Sequence, residues 1–134
     1  MGLVACVGPA RDFATYEGKA RESAAAVLSA VQTARVSVVT STRNGAFAPY
    51  TSILLTEAEE DAGSVQETFD SIQPPDARSD ALRQELDELF TRAGSTLSGL
   101  RIAARRAQLE RLPDLARPLA PIARDLEAFV AARS

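Results

Sequence analysis

The stretch FATYEGKARESAAAVLSAVQTARVSVVTS, residues 13–41, contains the apolar pattern that decides the fold. Small or apolar side chains recur at intervals of three and four, the spacing that places them on one face of an α-helix. The stripe consists of Phe13, Tyr16, Ala20, Ala24, Val27, Val31, Ala34, Val38 and Ser41. The pattern predicts a long helix from Asp12 to Asn44, with Asn44-Gly45 as its C-terminal stop.

A β-hairpin is the competing interpretation of the end of this stretch. Residues 36–40 are rich in β-branched side chains, and an Asn-Gly pair is typical of a two-residue hairpin turn, so a strand pair could run from Arg35 to Leu55. The helical stripe continues through residues 36–40 without a change of phase, and a second stripe begins soon after the Asn-Gly pair. We therefore prefer the helix.

Three further stripes predict three more helices. Helix two has Pro49 in its first turn, where the missing N–H costs nothing, and ends before Pro74-Pro75. Its expected inward residues are Tyr50, Leu54, Ala58, Ala62, Val65, Phe69 and Ile72.

Helix three is expected to be capped by Ser79 or Asp80. Its inward residues are Leu82, Leu86, Leu89, Ala93, Leu97, Leu100, Ala104 and Ala107. Gly94 and Gly99 near its centre predict a kink or a close helix contact. Helix four is the shortest, with Leu119, Ile122, Leu126, Phe129 and Val130 on its apolar face.

Four amphipathic helices with short connections predict an all-α fold, an antiparallel up-down four-helix bundle. The 134 residues fit one domain, which we place at residues 12–134 behind an N-terminal tether at residues 1–11. Helices one and three should each be ~45–50 Å long and project past helix four, so the bundle should be elongated. No run of ~20 uninterrupted apolar residues suggests a membrane span.

Composition excludes several classes of chemistry. The chain has 0 histidines, which removes the usual general base, the commonest zinc ligand and the Glu-x-x-His motif of di-iron bundles. We expect no enzyme activity, no metal and no cofactor. The middle of the chain is acidic and both ends are mildly basic, without the clustered cations of a nucleic-acid surface, so we expect no nucleic-acid partner.

Carboxylates form one candidate group. Glu57, Glu60 and Asp61 share a helix face, and their oxygens could hold a hard cation such as Ca²⁺ or Mg²⁺. A solvated acidic face is the preferred interpretation. In an antiparallel hairpin these residues should lie beside Arg35 and form a surface ion pair worth about 0–1 kcal/mol.

Arginines form a second candidate group. Arg101, Arg105 and Arg106 lie on neighbouring turns and could clamp a carboxylate or phosphate, because the guanidinium fork binds both with two hydrogen bonds. Tyr50 is expected at the level of Arg101. Our candidate ligand-binding residues are Tyr50, Arg101 and Arg105, although a solvated face partnered by acids such as Glu110 is the preferred alternative.

Hydroxyl groups form a third candidate group. If several of them point inward, the bundle has a polar waist that could bind a small ligand or water. The preferred alternative is that they bond to carbonyls of their own helices. The residues are Ser37, Thr40, Ser41, Thr42, Thr51, Ser52, Ser95, Thr96 and Ser98.

The N-terminal sequence Leu3-Val4-Ala5-Cys6 resembles the lipobox of bacterial lipoproteins. The resemblance implies that Cys6 is the lipidated residue and that residues 7–11 tether the bundle to a membrane. Lipoproteins also have charged and apolar segments upstream of the lipobox, whereas this sequence has Met1-Gly2 before Leu3. All cations except Lys19 are arginine, which indicates a GC-rich bacterial genome, and the chain resembles membrane-anchored helical-bundle proteins of actinobacteria.

These observations favour a non-enzymatic, extracytoplasmic module that is anchored in a membrane and binds a protein or a small ligand. The alternative is a cytoplasmic structural or adaptor bundle, which could be homodimeric through the overhanging helices. An enzyme that works with carboxylates and arginines alone is the least favoured class.

Overall fold

The computed structural model describes residues 10–44 and 48–133, and within these ranges the chain is all-α without a strand. The proposed lipobox lies outside the described residues. The helices are α1 (Phe13–Asn44), α2 (Ala48–Asp70), α3 (Ala77–Arg105), α4 (Leu112–Leu115) and α5 (Leu119–Ala131), with a 3₁₀ turn at Leu109–Arg111. α1 continues through residues 36–40, so the competing hairpin is wrong. The 3₁₀ turn and the one-turn α4 lie between α3 and α5, where the sequence pattern predicted only a connection.

Aspartates cap the starts of α1 and α3. The Asp12 carboxylate accepts a hydrogen bond from the backbone N–H of Thr15 at 2.8 Å, which satisfies one of the free N–H groups of the first turn. Asp76 does the same for Ser79 at 2.8 Å, with an extended backbone at φ −157°. The predicted cap at Ser79 or Asp80 is therefore three or four residues too late, because Asp76 already supplies the acceptor.

α3 ends in a Schellman motif at Ala107. The Gln108 N–H donates to the Ala103 carbonyl at 2.9 Å, and the Ala107 N–H donates to the Ala104 carbonyl at 3.0 Å. Ala107 adopts the left-handed conformation, with φ 55°. It is exposed beyond the helix, so its predicted inward position is wrong.

Side-chain pairs give the direction of each helix against its neighbour. The Tyr16 and Phe69 rings, near the start of α1 and the end of α2, lie 5.4 Å apart between centroids. Arg83 near the start of α3 pairs with Asp70 at the end of α2. Neighbouring long helices are therefore antiparallel. We call residues 13–20, 66–70 and 77–87 the proximal end, and residues 36–44, 48–56 and 98–105 the distal end.

α5 packs against α1 and α3. Arg133, just beyond its end, contacts Glu17 of α1 at 3.8 Å and Glu85 of α3 at 3.5 Å. At 1.5 Å per residue, the 13 residues of α5 span about 20 Å, whereas the 32 residues of α1 span about 48 Å. α5 is therefore too short to cover the whole length of α1. The one-turn α4 and the 3₁₀ turn also contact α1 and α3.

The core confirms most of the predicted stripes, with one shift of phase in α2. Tyr50 was expected inward but is 58% exposed, while Thr51 and Leu55 are buried. The buried positions of α2 alternate by four and three residues from Thr51 onward, so Tyr50 falls outside the stripe. Three aromatic rings, Tyr16, Phe69 and Phe90, pack in contact at the proximal end.

One expectation about α3 needs correction, and α1 gives a weak membrane signal. Within residues 13–43 an 18-residue window reaches a mean hydropathy of 1.2, so by length and composition alone this helix could cross a membrane, a signal that core helices also give. Their apolar stripe packs inside the bundle. Gly94 and Gly99 do not mark a close helix contact, because a Cβ at either position would meet nothing within 4 Å.

Candidate functional site

Large apolar side chains are exposed at one end of the molecule. Among the described residues, five are exposed, and all five belong to the distal end. They are Val36 (65%), Val39 (48%), Tyr50 (58%), Ile53 (54%) and Ile102 (39%). Exposed apolar side chains concentrated in one part of a small protein are typical of an interaction surface.

The helical period explains why these residues are not in the core. At 100° per residue, a position two residues from the stripe lies about 200° around the helix. Ile53 is related in this way to buried Leu55, and Ile102 to buried Leu100. The same holds for Val36 and buried Ala34. These apolar side chains therefore do not contribute to the core.

Positive charge accompanies the apolar side chains. The sequence contains no Asp or Glu within residues 35–56 or 93–109. Arg43, Arg105 and Arg106 are exposed there, and no ion pair engages them within the described part of the chain. Arg101 is half-buried and donates to the Glu59 carboxylate. The distal end therefore contains exposed apolar side chains together with exposed arginines that have no ion pair among the described residues.

The predicted ligand-binding residues are only partly brought together. Tyr50 and Arg105 both lie in the distal end and both are exposed. Arg101 pairs with Glu59 on α2, nine residues after Tyr50, which is about 13 Å along the helix. Tyr50 is therefore not at the level of Arg101, and the Arg101 guanidinium already has an internal partner.

The other candidate groups form no ligand cluster in the described ranges. Arg35 donates to Gln32 on its own helix at 3.0 Å, and no ion pair joins it to the exposed acids of α2 there. No group of three or more acidic or cysteine side chains that could hold a metal occurs in the same ranges.

The buried hydroxyls of α1 follow the preferred alternative. Ser37 donates to the Thr33 carbonyl at 2.7 Å, and Ser41 donates to the Val38 carbonyl at 2.8 Å. A hydroxyl that is satisfied by its own helix does not need a ligand. These contacts favour local bonding over a polar waist.

A polar cluster that no sequence pattern predicted lies at the proximal end. The Arg83 guanidinium donates to the Asp70 carbonyl oxygen at 3.1 Å, and so caps the C-terminus of α2. It also lies 3.9 Å from the Asp70 carboxylate and 3.7 Å from the Asp87 carboxylate. Tyr16 of α1 is 0% exposed and completes the cluster.

Three oxygens of this cluster are buried without a hydrogen-bond partner. They are the Tyr16 hydroxyl, Oδ1 of Asp70 and Oδ1 of Asp87. Burial raises the pKa of Asp87 to about 6; a hydrogen bond from the protonated carboxyl to Asp70 and the charge of Asp70 reinforce the shift, and Arg83 opposes it. Burial also raises the pKa of Tyr16 to about 12. Two helices contribute the carboxyls, so no short sequence motif could have shown the cluster.

Comparison of the chain with known protein families, with curated proteins and with solved structures found no significant match.

Proposed function

We propose that this chain is a non-enzymatic helical-bundle module that is tethered to the outer face of a bacterial membrane and binds a protein partner through its distal end. The observation that supports it is the concentration of exposed apolar side chains and unpaired arginines in that end. Interface cores are enriched in aromatic and aliphatic side chains and in arginine. A complementary partner is a protein whose surface has an apolar patch surrounded by carboxylates.

The tether and the binding surface lie at opposite ends in this proposal. α1 begins at the proximal end, so a lipid on Cys6 would hold that end at the membrane. The 32 residues of α1 would then carry the distal end about 48 Å outward. This separation favours a protein partner over a lipid surface as the occupant of the distal end.

We also propose that α1, α2, α3 and α5 form an elongated up-down bundle in solution. The antiparallel pairs α1–α2 and α2–α3, and the packing of α5 on α1 and α3, support this arrangement.

The second candidate is a cytoplasmic adaptor that forms homodimers. Charge favours it: α2 contains acids but no cation, and the exposed end of α3 presents Arg105 and Arg106. In a twofold dimer the α2 acids of one copy could face the α3 arginines of the other.

Site-specific photo-crosslinking in the source bacterium separates the two candidates. A photoreactive residue at Ile53 tests the distal end, and one at Ser64, exposed on α2 away from that end, is the matched control. We expect Ile53 to form one discrete adduct with a different protein, and Ser64 to form none. An adduct of twice the chain's mass supports the homodimer, and equal labelling from both positions contradicts a distal binding surface.

Fractionation tests the tether independently. We expect the natural gene product to sediment with membranes and a Cys6→Ser variant to move to the soluble fraction. A natural product that is soluble in the cytoplasm would support the adaptor instead.

A further inference from the structure

The proximal end contains a pair of carboxyl groups that two helices bring together. Asp70 is the last residue of α2, and Asp87 is on α3, one turn after Arg83. Oδ1 of each carboxyl is buried, and neither accepts a hydrogen bond from the described residues. One oxygen of each carboxyl is desolvated, although the Asp70 and Asp87 side chains are 37% and 36% exposed. Two ionised carboxylates held together in this way repel each other, so the arrangement favours a proton between them.

We propose that Asp70 and Asp87 share one proton and form an acid-sensitive latch that holds the proximal ends of α2 and α3 together. One proton converts two unpartnered oxygens into an O–H···O hydrogen bond, and Arg83 balances the remaining negative charge. Loss of the proton leaves two carboxylates to one guanidinium at distances of 3.9 and 3.7 Å.

Within the described residues, Arg83 is the cation that acts on the carboxyl pair, and the other nearby groups are neutral, acidic or paired elsewhere. Tyr16 faces the pair from α1, and its raised pKa keeps the phenol neutral. Asp80, on α3, lies near Tyr16 and adds negative charge. On the α5 side of α3, Arg92 pairs with Asp125 and Arg133 contacts Glu85. Arg83 is thus the cation that faces the pair within the described residues.

The sign of the pH dependence follows from the raised pKa of Asp87. The folded chain keeps this proton up to about pH 6, whereas an unfolded aspartate releases it near its ordinary value of 3.8. Between these values the folded state binds more protons than the unfolded state, so acidification through this interval stabilises the fold. The chain has 0 histidines, so no imidazole titrates in the same interval.

Thermal unfolding of the full chain near pH 5 and near pH 7.5 tests the latch. We expect the midpoint Tm to be higher at the acid pH by about 3–6 °C. Asp87→Asn should raise Tm at pH 7.5 and remove most of the difference, because the amide donates to Asp70 without ionising. Asp61→Asn is the matched control: it removes an exposed acid of α2 and should retain the full difference.

Two further measurements keep the proposal testable if a variant fails to fold. Nuclear magnetic resonance of the unmodified chain should show an Asp87 carboxyl that titrates near pH 6 rather than near 4. Amide exchange, corrected for its intrinsic rate, should be faster across residues 70–83 at pH 7.5 than at pH 5. An ordinary Asp87 titration, or an Asp87→Asn variant with the full pH difference, would overturn the latch.

Discussion

Ala107 occupies a backbone conformation that ordinarily favours glycine. At φ 55° its Cβ is crowded against its own backbone, which costs an L-residue roughly 1–2 kcal/mol. The Schellman hydrogen bonds at the end of α3 nevertheless hold it there. The cost is local, because the Ala107 side chain is exposed and contributes nothing to the core.

We therefore predict that Ala107→Gly stabilises the protein by about 1 kcal/mol. Glycine relieves the backbone strain of the folded state, and the greater conformational entropy of the unfolded chain offsets part of that gain. Urea unfolding measures the change. Ala81→Gly is the control, because Ala81 is exposed inside α3, and glycine there should destabilise by about 1 kcal/mol. If both variants destabilise equally, the end of α3 is not in the left-handed conformation.

The residue scale also shows what the sequence could not predict. The expected inward position of Tyr50 was wrong because an aromatic residue looked like a better core residue than its neighbour Thr51. Leu55 was missed for the same reason, since choosing Tyr50 set the phase for the next turn. The contact between Arg83 and Asp70 depends on the register between α2 and α3, which periodicity within one helix does not contain.

Arg133 determines how the end of α5 is held. Its side chain is 17% exposed and lies between Glu17 of α1 and Glu85 of α3. It donates to the Phe129 carbonyl at 3.1 Å and stacks over the Phe129 ring at 3.7 Å from the centroid. One guanidinium thus joins three helices.

Truncation of the Arg133 side chain should destabilise the packing of α5 more than an average substitution of a surface residue does. We predict that Arg133→Ala destabilises the protein by about 1–2 kcal/mol, because it removes a partly buried network and not a single exposed pair. Arg124→Ala, at an exposed position of α5 without an ion pair in the described residues, should cost less than about 0.5 kcal/mol. Equal effects in chemical unfolding would show that Arg133 is not an anchor.

At the element scale, the sequence predicted α1, α3 and α5 well. Their stripes are long and regular, and the hydrophobic period that defines the helix also defines its buried face. The 3₁₀ turn and α4 were not predicted, because a four-residue helix such as Leu112–Leu115 is too short to show a period. The N-cap of α3 was misplaced because Asp76, Ser79 and Asp80 are all residue types that cap helices.

At the scale of the whole molecule, the two ends have different chemistry. The proximal end contains the aromatic rings, the carboxyl pair and the contacts of Arg133, whereas the distal end exposes apolar and cationic side chains. The sequence predicted helices of sufficient length for such a division. It did not predict that the apolar side chains outside the stripes would lie at the same end, because that depends on how the helices are aligned with one another.

The claim on which the rest depends is that antiparallel packing collects Ile53 and Ile102 at one end, far from the start of α3. Electron–electron distance measurements on spin-labelled cysteines, in a Cys6→Ser background, test it directly. Labels at Ile53 and Ile102 should be about 20 Å apart, and labels at Ile53 and Ala81 about 40 Å apart, from the helical rise and the spacing of packed helices. Similar values for the two pairs, or the reverse order, would contradict this packing and the binding surface inferred from it.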